Sequence, residues 1–221
     1  TVVPSKTSLM MSDAEARGMY CFLLNVHSIR AAPPTCRCRQ VLEPDHPLCC
    51  SLLKGRSITA RHDSVVKVIQ KAGREACVDI QREFRIARFN RDRPDIKYDF
   101  HDGYQGFADH VCTHVGAWSY RNHTIDEILN EAAKKKVTSY QRFLKPDESI
   151  VPFATSTFGV LHPQAIDFID RLAGAAAANS MLPFHSIFHY TKFRIIDEIL
   201  IAIMKGNAHI LADAARYCCE L

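Results

Sequence analysis

The chain has 221 residues, with 28 lysines and arginines against 24 aspartates and glutamates. The net charge of +4 excludes a histone-like polycation, and a hydrophobic content of 47% excludes wholesale disorder. Nine cysteines, an odd number that includes the adjacent pairs Cys49-Cys50 and Cys218-Cys219, do not fit the disulfide framework of a small secreted domain. The composition therefore favours a metal site in a reducing compartment.

No segment reaches the roughly 18 consecutive apolar residues that a membrane-spanning helix requires. The first residues, TVVPSK, lack a signal-peptide pattern and do not begin with methionine. We therefore expect a chain with no membrane partner that is a piece of a longer protein.

Hydrophobic periodicity and capping signals predict helices and strands in a mixed order. In chain order they are helices over 12–30 and 61–76, strands over 77–89, 93–100 and 107–118, a helix over 124–144, a strand over 151–157, and helices over 162–177, 184–205 and 207–220. This order predicts a mixed α/β core behind an N-terminal appendage.

The segment between the first two helices has the spacing of a zinc site, Cys36-x-Cys38-x7-His46-x3-Cys50. Thiolates and imidazoles suit tetrahedral Zn²⁺, and a short proline-containing loop without its own core gains folding energy from a metal. Cys49 is the alternative fourth ligand. A buried set of small hydrophobic thiols is the competing interpretation.

Two acids point to a second metal. Asp95 follows Arg93-Pro94, and Asp109 lies on the next predicted strand beyond a glycine-containing turn. Antiparallel strands joined in this way place both carboxylates together, and a carboxylate pair with substrate phosphate is the usual way to hold Mg²⁺. An ordinary turn aspartate is the competing interpretation of Asp95.

Phosphoryl hydrolysis also needs a cation near the developing charge. The familiar position, two residues after the second acid, is Val111 here, so we expect the lysine on the following helix. Lys136 and Tyr140 share a face with the small Ala132 at i, i+4 spacing. Lys134 and Lys135 are expected to face solvent or the DNA backbone.

Taken together, these segments resemble the C-terminal restriction-like endonuclease region of site-specific non-LTR retrotransposon proteins. The matching pieces, which span residues 36 to 173, are C36-x-C38…H46-x3-C50, 61-RHD-63, 93-RPD-95 with Asp109, 134-KKKVTSY-140 and 151-VPFATSTFGVLHPQAIDFIDRLA-173.

The resemblance implies a PD-(D/E)XK restriction-endonuclease-like core, a mixed sheet flanked by helices, behind a CCHC zinc knuckle. The expected division is a helical linker and knuckle over 1–60 and a nuclease domain over 61–221. In such elements a reverse transcriptase precedes this region and binds the element RNA, and the nuclease nicks double-stranded target DNA in the nucleus. The nick frees a 3′ hydroxyl that primes copying. The alternative is a decayed or domesticated copy that binds nucleic acid or protein without cleavage.

Arg61 and His62 map onto an Arg-His motif of that family, which implies contact with nucleic-acid backbone or a link between knuckle and nuclease; local helix capping is the alternative. Basic residues at 82, 85, 88, 91 and 93 suggest a DNA-facing edge that includes Arg93, against an ordinary solvated edge.

Other residues near the predicted site have plainer interpretations. His110 and His114 are expected to be structural, and Glu75 or Glu83 is a weak candidate for an additional acid. Trp118 and Tyr120 can stack on bases, although a tryptophan after a strand is more often part of the core.

Overall fold

The computed structural model describes residues 11–24, 26, 34–53, 56–82 and 93–218, and of 215–218 it describes the backbone alone. The helices are α1 (Asp13–Leu23), α2 (Ser57–Glu75), α3 (Ile125–Gln141), α4 (Pro163–Ala178) and α5 (Phe184–Cys218). The strands are β1 (Asp79–Arg82), β2 (Ile96–Asp99), β3 (Gln105–Thr113) and β4 (Ser149–Ser156). Short 3₁₀ turns cover His46–Cys49, Ser51–Leu53 and Trp118–Tyr120.

Two helices begin where capping chemistry predicts. The Ser12 side chain caps α1 with Glu15 in return, and Thr124 caps α3 with Glu127 in return. Both are capping boxes, in which each partner satisfies one otherwise unpaired backbone N–H group of the first helical turn.

The four strands form one mixed sheet in the order β1-β2-β3-β4. β1, β2 and β3 pair antiparallel, and β4 pairs parallel to β3 after the α3 crossover. Helices α2, α4 and α5 cover one face of the sheet through a large apolar cluster, whereas α3 covers the other face. The prediction of an α/β core with a mixed sheet flanked by helices is confirmed.

A second apolar cluster joins the N-terminal segments to the end of α5. It contains Met19 and Phe22 of α1, Leu42 and Leu48 of the cysteine segment, and the α5 stretch 208–214. Helix α2 also begins before the expected boundary at residue 60. The division at residue 60 stays a prediction.

The prediction of two C-terminal helices is wrong, because α5 runs without a break through Gly206. An interior glycine costs a helix only about 1 kcal/mol. Asn207 next to it is buried, and its side chain bonds Arg61 and the Thr157 carbonyl. These tertiary contacts outweigh the local penalty.

The remaining strand predictions differ at their ends. β3 stops at Thr113 instead of 118, and the chain continues into a 3₁₀ turn at Trp118–Tyr120. The predicted strand 77–89 is present as β1, with Val78 and Ile80 buried as expected, and its residues 83–89 lie outside the described part. Within the described ranges, no helix is long and apolar enough to cross a membrane.

Candidate active site and metal centre

The sheet register brings the two predicted acids face to face. β2 pairs Ile96 with Ala108, so Asp95, immediately before β2, lies opposite Asp109 on β3. Directly opposed residues have Cβ atoms roughly 5 Å apart. The side chain of Asp109 is 3% exposed and that of Asp95 is 20% exposed. The two carboxylates therefore share one partly enclosed position.

Lys136 reaches this position from α3. Its ammonium group forms an ion pair with the Asp109 carboxylate. Lys135, one residue earlier, faces solvent and pairs with Glu131 at 2.6 Å, and Lys134 is exposed. Helix geometry therefore directs one of the three consecutive lysines to the acids.

The two carboxylates titrate differently. Burial and the neighbouring Asp95 charge raise the pKa of Asp109 to about 6, although Lys136 opposes this shift. Burial also acts to raise the pKa of Asp95, but bonds from His62 and from the His110 backbone N–H hold it below its usual value. Asp95 is thus the acid that ionises first.

His62 is the residue whose place in the site the sequence did not reveal. Its Nε2 donates to Asp95 Oδ2 at 2.9 Å, and its ring lies 5.0 Å from that of His110. The Arg61-His62 motif implied contact with nucleic-acid backbone or a link between knuckle and nuclease, with local helix capping as the alternative; α2 begins earlier, at Ser57, so the pair does not cap it. The motif alone could not show that α2 would lie over the start of β2, 33 residues further along the chain.

Arg61 points inward. It is 2% exposed, and its Nη1 donates to Asn207 Oδ1 at 2.7 Å, which links α2 to α5. Arg93 is exposed beside the site, and residues 83–92 of the predicted basic edge lie outside the described residues. The nucleic-acid roles of Arg61, His62, Arg93 and Lys135 stay predictions.

Tyr140 lies on the same side of the sheet as Lys136. It is 5% exposed and packs against Phe107, which is two residues before Asp109 on β3. Its predicted role in supporting the lysine stays a prediction. Glu75 pairs instead with Arg194 at 2.6 Å and Lys71 at 3.8 Å, and Glu83 lies outside the described residues.

The two histidines of the β3 segment have structural partners. His110 Nε2 lies 3.1 Å from Thr155 Oγ1, and burial holds the pKa of His110 well below its usual value, so the ring is neutral. His114 bridges Thr157 Oγ1 at 2.9 Å and Asp45 Oδ2 at 3.0 Å. His114 therefore connects the sheet to the cysteine segment.

The predicted zinc ligands form one cluster. One ligand atom from each of Cys36, Cys38, His46 and Cys50 lies within 4.8 Å of all the others. The Sγ atoms of Cys36 and Cys50 are 3.7 Å apart, close to the roughly 3.8 Å that two thiolates span around tetrahedral Zn²⁺. Cys38 Sγ lies 3.2 Å from His46 Nε2. The donor set and its spacing fit a tetrahedral ion.

Cys50, not Cys49, belongs to this cluster. Cys49 is exposed, and its thiol donates to the His46 carbonyl at 3.4 Å. Burial raises the pKa of Cys50 to about 12. A bound metal would overcome this shift, because thiol ligands coordinate as thiolates.

Among the described residues, the cluster of Cys36, Cys38, His46 and Cys50 is the single group of three or more side chains that could hold a metal ion. Asp95 and Asp109 supply two carboxylates, which fits an ion such as Mg²⁺ that takes its remaining ligands from water and phosphate. No protein-family model matches the chain, and no curated protein is significantly similar to it.

Proposed function

We propose that the chain is a Mg²⁺-dependent DNA endonuclease domain of the PD-(D/E)XK class behind a CCHC zinc knuckle, like the C-terminal region of non-LTR retrotransposon proteins. The observation that carries the proposal is the opposition of Asp95 and Asp109 across β2 and β3, with the Lys136 ammonium on Asp109. This constellation combines two carboxylates for a metal with a cation for a phosphate.

Each residue has a distinct task in this proposal. Asp95 and Asp109 would hold Mg²⁺, which polarises a phosphoryl oxygen and activates water when bound. Lys136 would leave its ion pair to stabilise negative charge on the phosphate in the transition state. His62 would keep the Asp95 carboxylate oriented through its 2.9 Å hydrogen bond.

The same proposal names the partners. The substrate is double-stranded target DNA in the nucleus, nicked to expose a 3′ hydroxyl. The element RNA would be bound by a reverse transcriptase portion that precedes this domain. The zinc knuckle would be structural, with Cys36, Cys38, His46 and Cys50 as its ligands.

A second candidate is a non-catalytic module that binds nucleic acid or protein. One observation favours it: Asp109 is paired with Lys136 and Asp95 is bonded to His62, so both acids have a cationic or hydrogen-bonding partner without metal. Full DNA binding without Mg²⁺-dependent cleavage would select this candidate.

The test is plasmid nicking by the purified domain in Mg²⁺, with Asp109→Ala and Asp109→Asn compared with the wild type. We expect both variants to lose about 100-fold or more of the rate, because each removes a metal ligand. Asp99→Ala is the matched control, since Asp99 is an exposed acid on the same strand as Ile96. Circular dichroism checks that each variant is folded.

Equal nicking by the wild type and both Asp109 variants would contradict the assignment. So would an equal loss in Asp99→Ala, because that acid lies outside the opposed pair.

A further inference from the structure

Trp118 does not belong to the core. It is 74% exposed in the 3₁₀ turn that follows β3, although a tryptophan after a strand is more often buried. The Arg121 guanidinium lies over the indole, 4.1 Å from the ring centroid. A cation stacked on one face of an exposed indole leaves the other face available to a ligand.

The backbone beneath this pair is ordered by hydrogen bonds. Ala117 N–H bonds the His114 carbonyl, Tyr120 N–H bonds the Ala117 carbonyl, and His123 N–H bonds the Tyr120 carbonyl. His114 is itself buried between Thr157 and Asp45. Trp118 and Arg121 therefore lie on a turn that is hydrogen-bonded, through His114, to both the sheet and the cysteine segment.

The turn lies at the active-site end of the sheet. β3 ends four residues beyond Asp109, and the antiparallel partner β2 begins at this same end, directly after Asp95. Helix α3 begins just after the turn and runs back to place Lys136 on Asp109. The turn that carries the indole therefore follows the end of β3 that lies beyond Asp109.

The surroundings favour nucleic acid over a protein partner. Trp118 is followed in sequence by exposed polar residues, namely Ser119, Arg121, Asn122, His123 and Thr124. A protein hot spot is normally enclosed by further contacts that exclude water. The nearby acids lie on α3, where Glu127 accepts bonds in the capping box, Glu131 pairs with Lys135, and Asp126 is exposed.

We propose that Trp118 and Arg121 form a stacking site for an unpaired nucleobase at the active-site end of the sheet, with Arg121 also meeting the adjoining phosphate. Stacking on an aromatic ring is tolerant of base identity, because every base has a π-face. As a contact to substrate, this site rests on the proposed endonuclease function. On double-stranded target DNA this contact needs a locally unpaired base, and among short oligonucleotides it predicts tighter binding of a single strand than of a fully paired duplex.

The experiment uses Trp118 as its own probe, because it is the single tryptophan of the chain. The protein without Mg²⁺ is titrated with a single-stranded DNA and with the corresponding blunt duplex. A length of about 12 nucleotides lies within the site sizes of proteins that bind single-stranded nucleic acid. We expect saturable quenching of the tryptophan emission by the single strand and much weaker quenching by the duplex.

Anisotropy of the labelled single strand then tests the residues. Trp118→Ala should weaken binding by about tenfold or more, the usual effect of removing one stacking aromatic, and Trp118→Phe should restore most of it. Tyr190→Ala is the matched control, since Tyr190 is 67% exposed on α5. Arg121→Ala should also weaken binding. Its control is Arg142→Ala, because Arg142 stacks on Phe143 with 4.5 Å to the ring centroid elsewhere on the surface.

Unchanged binding in Trp118→Ala, or an equal loss in Tyr190→Ala, would overturn the stacking site. So would tryptophan emission that no nucleic acid alters. The two proposals fail separately. If the protein nicks DNA but Trp118→Ala does not change DNA affinity, only the stacking site is contradicted. If affinity depends on Trp118 but no cleavage occurs, only the endonuclease function is contradicted.

Discussion

Lys136 shows at the residue scale how three adjacent lysines acquire different environments. Successive helical residues are rotated by about 100°, so they cannot face the same neighbour. Lys136 meets Asp109 on the sheet, whereas Lys135 meets Glu131 on its own helix. This difference decides which of the three lysines could reach a phosphate in the proposed endonuclease site.

We therefore predict that Lys136→Ala lowers the Mg²⁺-dependent nicking rate by about 100-fold, as expected for loss of one charge-stabilising group. Its effect on DNA affinity should be much smaller. Lys134→Ala is the matched control, because Lys134 is exposed on the same helix turn. Single-turnover nicking and filter binding measure the two effects, and a larger loss of rate in Lys134→Ala would show that the wrong lysine is assigned.

The raised pKa of Asp109 predicts that a charged carboxylate, which the proposed function needs, lowers the stability of the fold. Its pKa of about 6 in the fold lies above the roughly 3.9 of an unfolded aspartate, so folding favours the protonated form. The stability linked to this proton is present below about pH 4 and is lost as pH rises through about 6. Above that pH, the buried charge weakens the metal-free fold.

Asp109→Asn should therefore raise the melting temperature in the absence of Mg²⁺ at about pH 7.5, and the gain should shrink towards about pH 4.5. Differential scanning calorimetry at the two pH values measures it. A lower melting temperature for Asp109→Asn at the higher pH would mean that the Lys136 ion pair outweighs the cost of burial.

At the element scale, helix α5 is continuous through Gly206 because of its contacts with α2. At Gly206 a Cβ atom would lie 2.4 Å from Arg61 Cγ and 2.5 Å from Arg61 Cβ. The missing side chain allows the two helices to approach closely. Glycine at this position therefore permits close packing of the two helices and does not break α5.

Gly206→Ala should lower the free energy of unfolding by roughly 1–3 kcal/mol, the usual cost of overpacking. Gly174 of α4 is the control, since a Cβ there meets nothing within 4 Å. Gly174→Ala should raise the free energy of unfolding by roughly 0.5–1 kcal/mol through higher helix propensity. Urea denaturation measures both, and a neutral or stabilising Gly206→Ala would mean that Arg61 can move aside.

At the scale of the whole molecule, the cysteine segment is built into the core. Its apolar residues pack with α1 and the end of α5, and Asp45 bonds His114 beside β3. Removal of a metal from this segment would therefore loosen both neighbours. The cysteine cluster and the candidate active site are therefore connected through the bond between Asp45 and His114, directly after β3.

We predict one zinc per chain by elemental analysis and a lower melting temperature after removal of the metal by a chelator. Cys50→Ser should lose the metal and the associated stability, because it removes one of four ligands. Cys49→Ser should keep both, since Cys49 is exposed and outside the cluster. Equal metal content in the two variants would contradict the ligand assignment.

The sequence by itself determined the features that depend on near neighbours. The capping boxes at Ser12 and Thr124, the ligand spacing from Cys36 to Cys50 and the helical phase of Lys136 each involve residues close in the chain, where geometry follows from local periodicity.

Only the tertiary structure decided the features that join distant segments. These are the bond between His62 and Asp95, the selection of Cys50 over Cys49, the exposure of Trp118 and the continuity of α5. Each depends on which surfaces pack together and on what that packing leaves in contact with water. Local pattern does not contain this information, because burial is a property of the assembled layers.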